Sequence, residues 1–154
     1  MGYTRYDSIE AYMMAIDQAI NDTMQTDITA KAQEAMQQSM DEHVYSYSPR
    51  YTGRSDTRPS PRKDAGGMRS KAYLTPTYLP EIKTLIIEAN APWQNVGYNV
   101  TDGLGTHDMD LSDAVEQWDM YGAGARPFAK QAENEYGSKK FANDLRSGLI
   151  KRGL

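Results

Sequence analysis

The chain predicts an α+β fold in a single domain of 154 residues. Three observations carry this. An apolar stripe at steps of three and four residues runs from Ile9 to Val44, the spacing of one helix face. Two runs rich in β-branched and apolar residues follow, closed by Asn and Pro, as strands are. A second helical stripe begins behind Pro127. The order is a long N-terminal helix over 7–45, an extended basic arm over 48–67, strands over 68–92, a short acidic helix over 111–121 and a C-terminal helix over 127–152.

Asp7 and Ser8 are N-cap residues for the first helix. Its stripe is Ile9, Tyr12, Met13, Ile16, Ile20, Met24, Ile28, Ala32, Met36, Met40 and Val44. The other faces carry Gln, Glu, Asp and Ala, so the helix is expected to pack on one thin partner. Asn21 to Asp27 (NDTMQTD) is poor in helix formers, and a kink or short break is expected there. Ser48 to Gly67 (SPRYTGRSDTRPSPRKDAGG) holds three prolines and three glycines and reads as loop. At about 20 residues it is longer than an ordinary connection. Met68 to Leu79 and Ile82 to Pro92 are the strands, turned at YLPE, with Pro76 confining the first to an edge or a bulge. Leu111 to Gly122 opens on a capping-box-like SDAVE. Pro127 sits at the first turn of the last helix, where its missing N–H costs nothing. That helix carries Phe128, Ala132, Tyr136, Phe141, Leu145 and Leu149, interrupted by Gly137, and Gly153 follows its last turn.

Composition narrows the function. Hydrophobic residues make up 39% and the mean hydropathy is −0.74, lean for a compact monomer and apt for an elongated one or one completed by partners. Eleven tyrosines stand against two phenylalanines; tyrosine tolerates a half-wet surface, which suits interfaces. With no cysteine, thiolate catalysis, disulfides and cysteine-ligated zinc are excluded. No secretory leader, membrane span or myristoylation signal is read, the last because Tyr6 stands where Ser or Thr is needed.

Charge is segregated. Residues 1–49 hold two bases against eight acids, net −6; residues 50–71 hold seven bases against two acids, net +5; the remainder is net −3. The bases are Arg50, Arg54, Arg58, Arg62, Lys63, Arg69 and Lys71. Asp102, Asp108, Asp110, Asp113, Glu116 and Asp119 form an acidic run without Lys or Arg. The two blocks can meet across copies of the chain. The basic block can instead face the phosphates of DNA, with Tyr51 available for stacking, or stay a solvated loop.

Catalytic patterns are weak. The only histidines are His43 and His107, and no G-x-S-x-G elbow accompanies them. His43, at the end of the long helix, reads as a helix-end cation or a packing residue. His107 with Asp102, Asp108 and Asp110 lacks calcium-loop spacing and a second histidine for zinc, so an ordinary acidic loop is the better reading. A hydrolase or metal enzyme on that cluster is the third-ranked reading. No cofactor and no metal is expected.

In chain order, HVYSYSPRYTGR at a helix end, AGGMRSKAY leading into a strand, LIIEANAP, the acidic LSDAVEQW, and ARPF opening a helix that closes in DLRSGLIKRG resemble the neck and tail-completion proteins of tailed bacteriophages, over about residues 8–153. The resemblance implies a non-enzymatic structural protein of the virion. It implies a homo-oligomeric ring, generally of six copies, at the head–tail junction, between head-closure or connector proteins and the tail terminator or tail tube, with DNA passing through. Assembly would take place in the host cytoplasm. The RPF motif maps to Arg126, Pro127 and Phe128, with Pro127 starting the helix, Phe128 packing on the sheet and Arg126 pairing with an acid such as Glu116. The alternatives are a nucleic-acid-binding accessory protein using the arginine loop, or another ring component, a head-closure or tail-terminator protein.

Overall fold

The computed structural model describes residues 5–45, 70–90 and 127–154. The fold is α+β: a long N-terminal helix, a two-stranded antiparallel sheet and two C-terminal helices packed along the long helix. The 48–67 arm and the 111–121 helix lie outside the described residues, except that the sheet is entered through Ser70.

The long helix is continuous but not uniform. Helix α1 (Ile9–Thr23) passes through a π-helical segment, Met24–Ile28, into α2 (Thr29–Met40), and a second π segment, Asp41–Tyr45, follows. Ser8 caps the start, its Oγ accepting from the Ala11 N–H at 3.0 Å. The expected break at Asn21 to Asp27 is thus a π turn without interruption of the helix. Ile16, Ile20, Met24, Ile28, Ala32, Met36, Met40 and Val44 recur at strict fours. In a pure α-helix each step of four drifts by about 40° around the axis. A π turn takes in one extra residue, which returns about 100° of that drift and keeps the stripe on one side. Hydroxyls mark the transition: Thr23 and Thr26 donate to the carbonyls four residues back, Ala19 and Asp22, whereas Thr29 donates five residues back, to Met24, at 2.8 Å.

Strands β1 (Leu74–Leu79) and β2 (Thr84–Ala89) pair in unbroken register, Leu74 opposite Ala89 through Leu79 opposite Thr84. The first starts later than the sequence pattern indicates, because Lys71–Tyr73 form a 3₁₀ turn capped by Ser70. The Asn90 N–H donates to the Tyr73 carbonyl, which sets the antiparallel alternation. Pro76 then falls on a position whose N–H would face away from β2, so the strand carries it without a bulge. In the turn Lys83 adopts φ 51°, costly for a side-chain-bearing residue. Its ammonium is anchored to the long helix, 2.6 Å from Asp17 Oδ1 and 2.7 Å from Asn21 Oδ1, and the Tyr78 hydroxyl donates to the same Asn21 oxygen.

The single C-terminal helix read from the sequence is two helices, α3 (Phe128–Tyr136) and α4 (Ser138–Lys151). Gly137 between them has φ −43° and ψ −174°, and a Cβ there would stand 3.0 Å from the Glu133 carbonyl oxygen. The apolar step from Tyr136 to Phe141 is five residues, which one straight helix does not keep on a face. Pro127 is the N-cap, one position earlier than expected, its carbonyl accepting from Gln131. The last helix ends in a Schellman motif: Leu154 N–H to Leu149 O, Gly153 N–H to Ile150 O, with Gly153 at φ 86°.

The core falls into two clusters. Met36, Met40, Val44, Leu74, Phe128 and Ala132 form one, with Tyr73, Ile87 and Ala89 against it. Met24, Ile28, Ala35 and Tyr136 form the other, with Leu85, Phe141 and Leu145 against it. Polar pins join the layers: Ser39 Oγ donates to the Phe128 carbonyl at 2.7 Å and Gln33 Nε2 to the Leu74 carbonyl at 2.8 Å. Arg152 closes α4 onto the long helix through Asp27 Oδ2 at 2.7 Å, Thr26 Oγ1 and the Asp22 carbonyl. These contacts, Arg152 first and Lys151 second, hold the Asp27 carboxyl below the usual carboxylate range.

Burial, then the neighbouring charge of Asp144, raises the Tyr136 hydroxyl well above the ordinary tyrosine range. A raised folded pKa contributes stability that is complete below the unfolded value of about 10 and is lost as pH rises past it. One pH unit above that value, the expected loss is about 1.4 kcal/mol. Thermal melts of wild type and Tyr136→Phe at pH 8 and pH 11 should show the difference moving by roughly 3–5 °C in favour of the variant. A difference that is the same at both pH values would show that the hydroxyl is not shifted.

Candidate interaction surface

The apolar stripe of the long helix outruns the described elements that cover it. Helix α4 ends where Arg152 bonds to Asp22 and Asp27. The hairpin ends where Lys83 reaches Asp17 and Asn21. Before Ile16 the stripe faces outward: Ile9 is 74% exposed, Met13 64% and Tyr12 46%, and Met14 beside them is 74% exposed. The spacing assigns Ile9, Tyr12 and Met13 to the packed face; they lie exposed. Periodicity tells which residues share a face, not how far along the helix a partner extends. The Tyr6 and Tyr12 rings lie 5.1 Å apart at 58°, extending the ridge by one aromatic pair. Acids border it. Asp7 and Glu10 are exposed, and Glu10 is held below the usual range by its own backbone N–H and then by the Ser8 hydroxyl.

Two smaller apolar areas accompany the ridge. The outward sheet face presents Ile86 and Leu79, and the hairpin turn Ile82. Along α4 an open groove of about 520 Å³ is lined by Phe141, Leu145, Leu149, Ile150 and Leu154.

Of the seven bases singled out from the sequence, Lys71 is described; it is the exposed first residue of the 3₁₀ turn. Arg50, Arg54, Arg58, Arg62, Lys63 and Arg69 lie outside the described residues, as do Asp102, Asp108, Asp110, Asp113, Glu116, Asp119, His107 and Arg126. Phe128 is fully buried against α2, Leu74 and β2. His43 stands at the end of the long helix, and its Nε2 lies 3.3 Å from Glu135 Oε1 of α3. Nothing in the sequence pointed to Glu135, whose partner is 92 residues away. No helix among the described residues is long and apolar enough to cross a membrane.

A family model, YomN, matches residues 6–151. No curated protein and no solved structure matches the chain. The match spans all the described elements except the last three residues and Arg5, and the chain belongs to the YomN family, which is phage-derived.

Proposed function

We propose that this YomN-family chain is a structural subunit of a tailed-phage particle. In this reading it forms a ring at the head–tail junction, joins the connector to the tail and lets DNA pass. The observation that carries the reading is the outward ridge of Ile9, Tyr12, Met13 and Met14 on a helix whose packing partners, among the described residues, stop at Asp17. Clustered large apolar side chains on a surface mark a contact site, and most soluble oligomers are built from copies of one chain. The family match supports a phage origin and no more; the place at the head–tail junction rests on the resemblance carried by the ordered motifs from HVYSYSPRYTGR to DLRSGLIKRG.

The test is particle composition together with assembly. The protein is expected in purified virions, and particles made without it should hold heads and tails that fail to join. Ile9→Lys with Met13→Lys is expected to leave the melting temperature within about 2 °C, since exposed substitutions cost little. The same pair should prevent ring formation when the protein is mixed with connector and tail fractions and examined by native mass spectrometry. Normal, infectious particles made without the chain would overturn the proposal. So would a variant that assembles as wild type does. If the chain is missing from virions and instead binds duplex DNA with a steep salt slope that Arg54, Arg58 and Arg62 to Ala flattens, it is a nucleic-acid accessory protein.

A further inference from the structure

We propose that Glu42, His43 and Glu135 form a site for a divalent transition metal of the zinc type. The three side chains offer ligand atoms that all lie within 4.8 Å of one another, from two elements far apart in sequence. Glu42 and His43 are consecutive residues in the Asp41–Tyr45 π segment. A π turn carries more residues than an α turn, so neighbouring side chains diverge less around the axis and both can face α3. The His43 Nε2 to Glu135 Oε1 separation is 3.3 Å, about the edge of a tetrahedron whose metal–nitrogen and metal–oxygen bonds are about 2.0–2.1 Å. Gln38 Nε2 already orients Glu42 by donating to its Oε1 at 2.9 Å, the kind of outer contact that steers a ligand. His43 and Glu135 keep 36% and 41% side-chain exposure, which leaves room for water at the fourth position. One imidazole and two carboxylates without a thiolate suit zinc, cobalt or manganese rather than a soft metal. The ion would replace the His43–Glu135 pair and fasten the end of the long helix to α3, at the point where the chain passes into residues 46–69.

The experiment uses the full chain, freed of metal by chelation, with Zn²⁺ alone as the calorimetric titrant and Co²⁺ as a spectroscopic probe. One saturable site per chain is expected, with a raised melting temperature and cobalt absorption in the visible typical of four-coordination. His43→Ala and Glu135→Gln should each weaken binding at least tenfold, and both should remain folded by circular dichroism because the positions are solvent-accessible. His107→Ala should change nothing. Absence of saturable binding at millimolar zinc would overturn the site. So would binding that survives His43→Ala, or binding that depends on His107.

Discussion

Phe128→Ala is expected to lower the unfolding free energy by about 3–5 kcal/mol, the range for emptying a buried aromatic site. Phe128 has no exposed surface and stands where α2, β1 and α3 meet, among Met36, Met40, Val44, Leu74 and Ala132. Its carbonyl also receives the Ser39 hydroxyl, so a shift of the α3 start to fill the void would break that bond. Methionine is the side chain best able to refill a gap, and Met36 and Met40 could recover part of the loss; the lower end of the range reflects that. Domains of this size are stable by about 5–15 kcal/mol, so the variant should be near unfolding at 37 °C. Urea denaturation of wild type, Phe128→Ala and the exposed control Lys130→Ala measures it. A cost under about 1 kcal/mol would mean that this cluster does not hold α3 in place.

Gly148→Ala is expected to destabilise, although alanine is about 1 kcal/mol better than glycine inside a helix. A Cβ at position 148 would come 2.2 Å from Thr23 Cγ2. Thr23 is fully buried, and its hydroxyl is tied to the Ala19 carbonyl at 2.7 Å, so it has no free rotation away. Separating the helices by the missing ångström would also pull Arg152 from Asp27 and the Asp22 carbonyl. Overpacking of this kind costs about 1–3 kcal/mol. Adding Thr23→Ala should recover most of it, giving a coupling energy above about 1 kcal/mol in a double-mutant cycle. Additive effects of the two substitutions would refute the steric account.

Much of the backbone plan was legible. The stripe from Ile16 to Val44, the Ser8 cap, the TLIIEA strand and the Gly153 terminus all depend on local chemistry, and local chemistry is written in neighbouring residues. The π turns were written less openly. They leave composition unchanged, and their trace is the run of strict fours from Ile16 to Val44, which an α-helix alone would wind around its axis. The division at Gly137 left a similar trace in the five-residue step between Tyr136 and Phe141. The exposed ridge was not legible, because Ile9 and Met13 obey the same spacing as Met36 and Met40; where α4 and the hairpin end is a property of packing. The Glu135 contact with His43 depends on the docking of α3 and has no local sign.

The contacts that close the fold run between its extremes: Arg152 with Asp27 are 125 residues apart, Ser39 with Phe128 89 apart. Such pairings make folding slow relative to a bundle of neighbouring helices, and they give it an order in time. During synthesis the long helix emerges first, with its whole apolar side bare. The hairpin can cover part of it, but the Thr23–Gly148 crossing and the arginine clasp exist only after α4 has left the ribosome. Until then, among the described elements, only the hairpin and α3 lie over the long helix, and its Met24 and Ile28 side of the core is incomplete. Docking of α4 is therefore the step that separates the closed fold from species with exposed apolar surface, which aggregate.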